Sequence, residues 1–487
     1  MPNSVDFGGK PFHFVGIGGI GMSALAYILT KRGLPVSGSD LRLSHITQRL
    51  QDAGVHIFWS QVAENLAFFE DAYPGSSPDS IDRLPQVICS TAINENNPEY
   101  RAAQKLGCPI FHRSDVLAGL MGQYQSIAVA GTHGKTTTSS MVSCALLEAG
   151  VDPTVVIGGE VAAWEGNARL GLSDWLVAEA DESDGSLLKF SPAVGVVTNI
   201  ELDHIDHYQT LESVVATFRQ FAQQSDILIA SADCPTIRQT LQPTITYSLD
   251  ANSGADYWAD QIVYEGNGTQ AQIWERGNCL GTLHLSVLGH HNLSNALAAI
   301  AVSRHLEQPF EALAAGLASF GGAKRRFELR GYQGGVQFVD DYAHHPSEIR
   351  ATLAAANLQR QANEGETASV QRIIAVFQPH RYSRTAAFLA EFAQAFGDAD
   401  RVILTDIYSA GEQNESGISG QHLANEIATH QVDVDYCPTL EDVQTQLVRH
   451  LRPGDMALFL GAGNLNRIIP DVMSAFVSNQ PPLMRQA

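Results

Sequence analysis

The chain has 487 residues, 44% of them hydrophobic and 17% charged, with 42 glycines. That length predicts about three domains, and the composition is globular, which excludes disordered, collagen-like and coiled-coil classes. Lys and Arg number 30 against 52 Asp and Glu, a net charge of −22. Nucleic acid and anionic membrane are therefore excluded as partners, because the protein surface offers them no counter-charge. A nucleotide enzyme is not excluded, since a few local cations can dominate a site.

The first predicted strand, Phe12-His13-Phe14-Val15-Gly16, runs into Gly16-Ile17-Gly18-Gly19-Ile20-Gly21 and an apolar helix from Met22 to Lys31. A second strand, Pro35 to Gly38, ends at Ser39-Asp40. Strand, glycine turn, helix, strand, acid is the order of a dinucleotide-type fold. Glycine lets the backbone approach a diphosphate, the helix N-terminus offers it free N–H groups, and Asp40 is placed to meet a sugar hydroxyl. The same region imitates a secretory leader, with Lys10, the uncharged run Phe14 to Leu29 and Ala24-Leu25-Ala26. Its four glycines make a poor apolar helix and a single lysine a weak start, so the glycine-turn reading is preferred. No other stretch is long enough to span a bilayer. Pro74 to Pro85 reads as a loop, and Pro109 to Tyr124 as an inter-domain connection.

A second signature follows the strand Ser126 to Ala130. It reads Gly131-Thr132-His133-Gly134-Lys135-Thr136-Thr137-Thr138 and opens a helix that ends at Gly150. Gly-Lys-Thr after a strand is a phosphate loop: N–H groups cradle phosphates, the lysine reaches the β/γ oxygens and the threonine hydroxyl meets Mg²⁺. The spacing is shorter than Walker A. Next, the strand Trp175 to Ala178 ends in Glu179-Ala180-Asp181-Glu182-Ser183-Asp184, and Val194 to Thr198 ends in Asn199 to His207. In a parallel sheet these strand ends converge, so one acid and one histidine beside Thr136 make a site for Mg²⁺. Asp203, His204, Asp206 and His207 leave a zinc reading open, although no H-E-x-x-H occurs; the remaining acids read as a solvated loop.

The densest basic cluster, Lys324-Arg325-Arg326, precedes a strand Val336 to Val339 that ends in Asp340-Asp341-Tyr342-Ala343-His344-His345-Pro346. Strand Ile373 to Phe377 leads into Gln378-Pro379-His380-Arg381-Tyr382-Ser383-Arg384-Thr385 and a helix from Ala386 to Phe396. Strands Val402 to Thr405 and Met456 to Leu460 complete a third open α/β sheet with one functional edge. Arg381 and Arg384 are placed to bind a carboxylate or phosphate. Arg326 to Gly335 reads as a connection and Gln361 to Gln371 as a loop. The six cysteines lie far apart with no C-x-x-C pair, which predicts reduced thiols and a cytoplasmic chain. There is no G-x-S-x-G and no cysteine in a catalytic motif. A phosphate loop with Mg²⁺ ligands, a second diphosphate-binding turn and arginines for a carboxylate together suggest ATP-driven activation of a carboxylate to an acyl phosphate, then attack by an amine.

The glycine turn Gly16 to Met22, Gly131 to Thr136, Glu179 to Asp184, His290-His291-Asn292 with Asn295, Asp341 to Pro346 and His380 to Thr385 occur in register from about residue 12 to 467. In this the chain resembles the Mur ligase family, and within it most closely the branch that adds L-alanine to UDP-N-acetylmuramate. The resemblance implies an α/β protein of three domains: a Rossmann-like UDP-binding domain (1–123), a P-loop ATPase-like central domain (124–327) and a Rossmann-like C-terminal domain (328–487). It assigns Gly16, Gly18, Gly19, Gly21, Met22, Ser39, Asp40, Ser90 and Thr91 to the UDP substrate. Gly131, Thr132, His133, Gly134, Lys135, Thr136, Thr137, His291, Asn292, Asn295, Arg326 and Asp341 fall to ATP, and Thr136, Glu179 and His204 to Mg²⁺. Tyr342, His344, His380, Arg381 and Arg384 line the place of the carboxylate and the amino acid, with Lys135, His204, Arg326 and His344 as catalytic residues. A monomer or weak dimer is expected.

Two positions depart from the family pattern. His290 stands where relatives often carry arginine, and Arg219 lies near a lysine that sister ligases carbamylate, which arginine cannot undergo. A murein-tripeptide recycling ligase shares most motifs, but Gly19-Ile20-Gly21-Met22 favours the alanine-adding branch. A nicotinamide oxidoreductase would leave Gly131 to Thr138 unexplained, and a non-catalytic nucleotide-binding regulator would leave His380 to Thr385 unexplained.

Overall fold

The computed structural model describes residues 4–69, 84–266, 268–362 and 370–478. The predicted loops Pro74–Pro85 and Gln361–Gln371 lie largely outside these residues. Three sheets form, each from a consecutive stretch of chain. The first holds β1 (Phe12–Val15), β2 (Val36–Ser39), β3 (His56–Phe58), β4 (Gln86–Cys89) and β5 (Ile110–His112), all parallel, in the order β3-β2-β1-β4-β5. Strand order reverses between β1 and β4, and open sheets bind ligands at the carboxyl ends on either side of such a point. Gly16 to Gly21 leaves β1 there, and Ser90-Thr91 leaves β4.

The second sheet holds β6 (Gln125–Ala130), β7 (Thr154–Val161), β8 (Gly166–Arg169), β9 (Trp175–Glu179), β10 (Val194–Val197), β11 (Ile227–Ser231), β12 (Ile245–Ser248), β13 (Tyr257–Glu265), β14 (Gly268–Glu275) and β15 (Asn278–Leu285). β6 sits between β10 and β9 and runs parallel to both, so the loops after these three strands emerge side by side. β13, β14 and β15 form an antiparallel meander at one edge, with Trp258 and Trp274 stacked across it at 5.9 Å. The helix after β6, Lys135–Glu148, is buried along most of its length despite six Ser and Thr residues in it. Their burial is tolerated because hydroxyls bond within the helix: Ser139 Oγ donates to Lys135 O, Ser140 Oγ to Thr136 O and Ser143 Oγ to Ser139 O.

The third sheet holds β16 (Glu328–Gln333), β17 (Val336–Asp341), β18 (Arg372–Phe377), β19 (Arg401–Leu404), β20 (Val434–Tyr436) and β21 (Asp455–Leu460), in the order β16-β17-β21-β18-β19-β20. Among the described residues no helix is long and apolar enough to cross a membrane.

Three predicted segments differ. Pro109–Tyr124 is not a connection but β5 and the helix Arg113–Met121, whose start is fixed by a capping box: the His112 N–H donates to Asp115 Oδ2 and the Ser114 N–H to His112 Nδ1. Arg326–Gly335 contains β16, an edge strand antiparallel to β17. The helix predicted from Ala386 to Phe396 is two short ones, Tyr382–Ala387 and Leu389–Ala393. Between them Phe388 leaves helical dihedrals and packs its buried ring edge-on to His345, 5.0 Å away.

Candidate functional site

The phosphate loop is shaped by two glycines. At Gly131, φ is +137° and a Cβ would run into Thr198 Oγ1; at Gly134, φ is +83° and a Cβ would lie 2.7 Å from Asn295 Oδ1. Both conformations are strained for any side chain. The loop is further pinned to the strand end of β10, where the Thr198 hydroxyl donates to His133 O at 2.6 Å and the His133 N–H to Asn199 Oδ1 at 2.8 Å. Thr132 Oγ1 accepts the Glu201 N–H at 2.9 Å, so this hydroxyl holds the loop together. Lys135 Nζ donates to Gly131 O (2.8 Å), Thr132 O (3.1 Å) and Glu182 Oε1 (2.9 Å). Burial alone would lower its pKa, but Glu182 and Asp181 outweigh that and raise it well above the usual value, so the ammonium is kept charged. Burial in turn lifts Glu182 to about 7 against the pull of Lys135.

Thr136 Oγ1 donates to Glu179 Oε2 at 2.8 Å, and the same oxygen takes the Gly158 N–H at 2.7 Å. A hydroxyl and a carboxylate in contact at the mouth of a phosphate loop are the hard oxygen donors Mg²⁺ prefers. His204, at φ +49°, points its Nε2 toward Glu182 Oε1 at 3.7 Å and Asp203 Oδ2 at 3.8 Å. Its carboxylate contacts thus lie with Glu182 and Asp203. The zinc grouping predicted as an alternative does not form: Asp203 pairs with Arg384, and Asp206 with Arg381.

An open cleft of about 1050 Å³ lies between the second and third sheets. His133, Gly134 and Thr137 of the phosphate loop, His291, Asn292 and Asn295 of the helix His290–His305, and Arg326 and Asp341 all line it. Eight residues assigned to ATP on the sequence, drawn from four separate segments, therefore converge. The cleft also presents residues the sequence reading passed over, among them Phe320, Phe327, Glu201 and Glu348. Glu348 was discoverable: it stands four residues after His344, at the start of a helix. Its carboxylate accepts the His344 N–H (3.0 Å) and approaches His133 Nδ1 (3.2 Å). Burial would raise its pKa, but His344 and His133 hold it well below the usual range. Burial and then Arg326 push His291 down to about 4, and burial raises Asp341 to about 6 although Arg326 and two backbone N–H groups, those of Ala343 and Phe327 at 2.7 Å, oppose it. The departing residues lie elsewhere: His290 bonds Tyr264 Oη at 2.9 Å, and exposed Arg219 donates to Thr240 O.

Beyond the cleft, Tyr342, His344 and His380 form a ring cluster, with centroids 5.3 Å apart for the first pair and 5.9 Å for the second. His344 Nδ1 lies 2.8 Å from Tyr342 O, which fixes the proton on Nδ1 and leaves Nε2 an acceptor. Burial pushes His344 down to about 3 and His380, helped by Arg384 and Arg381, to about 4, so both rings are neutral at neutral pH. Arg381 reaches Asp206 at 2.8 Å and Glu412 at 3.3 Å. Arg384 is held more tightly. It is 4% exposed, and its Nε and Nη2 both donate to Asp203 Oδ1, at 3.0 and 2.8 Å. It ties the third sheet to the loop after β10.

In the first sheet Gly16, Gly18, Gly19 and Gly21 form the expected turn, with Ser90 and Thr91 at the neighbouring strand end. Three of the assigned residues there bond or pack within the unit. Asp40 Oδ2 accepts the Gly18 N–H at 2.8 Å, closing the turn from within. Ser39 Oγ donates to buried Glu99 at 2.5 Å, and Met22 is 2% exposed in the core, so both support the turn from behind. Arg113, which the sequence reading missed, passes close to Gly21 and pairs with Asp181 and Asp184 of the second unit at 3.0 and 3.2 Å.

Three units in this order, each with a functional strand edge and the middle one with a phosphate loop, have a counterpart among known families. Residues 11–125 match the Mur ligase catalytic domain, 129–303 the Mur ligase middle domain and 325–463 the Mur ligase glutamate ligase domain. The chain belongs to the Mur ligase family. It is 62% identical over 480 residues to the UDP-N-acetylmuramate–L-alanine ligase of Nostoc punctiforme, covering 98% of both chains, and 59% identical over 481 residues to that of Synechococcus elongatus, covering 99% of both. Among solved structures it is similar to the UDP-N-acetylmuramate-alanine ligase of Thermotoga maritima (TM-score 0.77, 27% identity, 96% of this chain and 98% of that one). A murein peptide ligase of Psychrobacter arcticus shares the fold (TM-score 0.69, 23% identity, 97% and 100%).

Proposed function

We propose that the chain joins L-alanine to the carboxylate of UDP-N-acetylmuramate in peptidoglycan precursor synthesis, converting ATP to ADP and phosphate. The observation that carries this reading is the cleft in which the phosphate loop, the helix His290–His305, Arg326 and Asp341 meet. Residues 1–123 bind the UDP substrate at the glycine turn, 124–327 bind ATP, and 328–487 supply the amino-acid side and close over the nucleotide. Thr136, Glu179 and His204 would hold Mg²⁺, which would supply charge neutralisation on the phosphate chain.

In the first step a carboxylate oxygen bonds to the γ-phosphorus and the bond to ADP breaks, giving an acyl phosphate. In the second the alanine nitrogen bonds to the carbonyl carbon, phosphate leaves, and the nitrogen loses its extra proton. Lys135 places a fixed positive charge where the transferring phosphoryl group develops its own. His344 Nε2, a neutral acceptor, receives a hydrogen bond from the incoming amine beside the His380 ring, and Arg381 offers its guanidinium to the alanine carboxylate. Positioning supplies much of the remainder. The test is phosphate release from Mg²⁺-ATP with UDP-N-acetylmuramate and each L-amino acid in turn. Turnover with L-alanine is expected; turnover with a murein tripeptide but not with L-alanine overturns the assignment.

A further inference from the structure

Apart from the Thr136–Glu179 pair, the described residues bring two imidazoles and a carboxylate together at one point. These are His133 of the phosphate loop, Glu201 after β10 and His345 before the helix Pro346–Ala362, with donor atoms all within 4.8 Å of one another. His133 Nε2 lies 3.4 Å and His345 Nδ1 3.9 Å from Glu201 Oε2. Donors bound to one ion at about 2.0–2.2 Å stand roughly 3–4 Å apart, and both imidazole-to-carboxylate separations already fall in that range.

The orientations agree. His133 Nδ1 faces Glu348 Oε1 at 3.2 Å and its Nε2 faces Glu201 Oε2 at 3.4 Å, and these two carboxylates raise its pKa to about 9 against burial, so an ion takes the place of the proton on Nε2 while Glu348 keeps the one on Nδ1. A carboxylate behind the far nitrogen is how metal-bound histidines are held in one tautomer. Glu201 Oε2 is steadied by the Ser347 hydroxyl at 2.6 Å. His345 is 4% exposed, and its Nδ1 receives a long contact of 3.3 Å from the Ser347 N–H, which an ion would replace.

We propose that His133, Glu201 and His345 form a site for a borderline divalent ion such as Zn²⁺, which clasps the phosphate loop to the third unit. Two imidazoles and one carboxylate select Zn²⁺ over Mg²⁺, which takes oxygen ligands in an octahedron. The site shares no ligand with the Thr136–Glu179 pair. His133 and Glu201 come from the second unit and His345 from the third, so the ion fixes one wall of the cleft to the other and inhibits turnover.

The test uses the full-length chain, stripped with chelator and held in excess Mg²⁺. Retained Zn²⁺ is counted after dialysis, Co²⁺ replacement is followed by its d–d absorption, and phosphate release is measured against added Zn²⁺. One retained Zn²⁺ per chain, the intense Co²⁺ bands of a four- or five-coordinate ion and zinc inhibition are expected. In His345→Gln, Zn²⁺ affinity and inhibition weaken by at least about tenfold, while turnover in zinc-free buffer persists. Absence of retained Zn²⁺ in the wild type, weak octahedral Co²⁺ bands, or equal retention by H345Q overturns the proposal. The wild-type metal readings decide the matter even if the variant does not fold, and they are independent of the ligase assignment.

Discussion

Lys135 enters its loop with three acceptors already around it, two loop carbonyls and Glu182. An arriving phosphate therefore exchanges partners with a lysine already held in place. Lys135→Ala should lower ATP turnover by about 10²–10³-fold, the usual cost of losing one preorganised charge or donor. It also leaves the buried Glu182 carboxylate unpaired, which destabilises the fold. Adding Glu182→Gln should restore the melting temperature without restoring activity, and activity in either variant would refute the role. Asp341 gives a pH test. Burial lifts its folded-state pKa from 3.8 to about 6, so the folded protein holds this proton more tightly than the unfolded chain does. Its contribution to stability is fully present below 3.8 and is lost as pH rises to about 6, by at most about 3 kcal/mol. Asp341→Asn lacks that loss, so denaturant titrations should show its stability improving relative to wild type from about pH 4 to about pH 7.

Among the elements, the phosphate loop and the strands around it are the most constrained. A Gly131→Ala chain must move either the loop or β10, since the new methyl group would meet Thr198 Oγ1 and φ is +137°. It should lose at least about 10²-fold in kcat/KM with a lowered melting temperature, whereas Ala at Gly33, whose Cβ meets nothing within 4 Å although its φ is +79°, should leave kcat/KM unchanged. The phosphate loop, the glycine turn and the polar clusters after β9, β10, β17 and β18 were legible because apolar runs that end in charged or glycine-rich residues are a local signal. The β13–β15 meander escaped because its strands alternate buried and exposed residues, where the search followed continuous apolar runs. Partner choice was not legible either. Arg384 pairs with Asp203, which lies 181 residues away in sequence, and no local pattern encodes that pairing. Asp40 was found by position, and its bond to the Gly18 N–H, 22 residues away, is likewise set by the fold and by no local pattern.

Across the whole molecule, the scarce cations at motif positions are largely matched by acids, and many of the pairs join one unit to the next. Arg113 links the first unit to Asp181 and Asp184, Lys189 reaches back to Asp115, and Arg381 and Arg384 join the third unit to Asp206 and Asp203. Glu160 receives His45 from the first unit and Lys324 from the hinge. The net charge of −22 thus accompanies a cation set placed at joints and sites. Arg384→Ala should cost about 3–5 kcal/mol, because Asp203 would stay buried without its partner. Chemical denaturation should register that loss, and limited proteolysis should show faster cutting between the second and third units. An unchanged proteolysis pattern would argue against a joint there.

The position of β21 carries a consequence for the order in which the protein can be made. Residues 455–460 lie between β17 and β18, at the centre of the third sheet and not at its edge. During synthesis the first and second sheets can close as soon as their own strands emerge, whereas the third cannot close until residue 460 has left the ribosome. The cleft wall that carries Asp341 is therefore the last part of the molecule to take shape. A ribosome-bound nascent chain stalled before residue 455 would have a complete phosphate loop and no finished cleft.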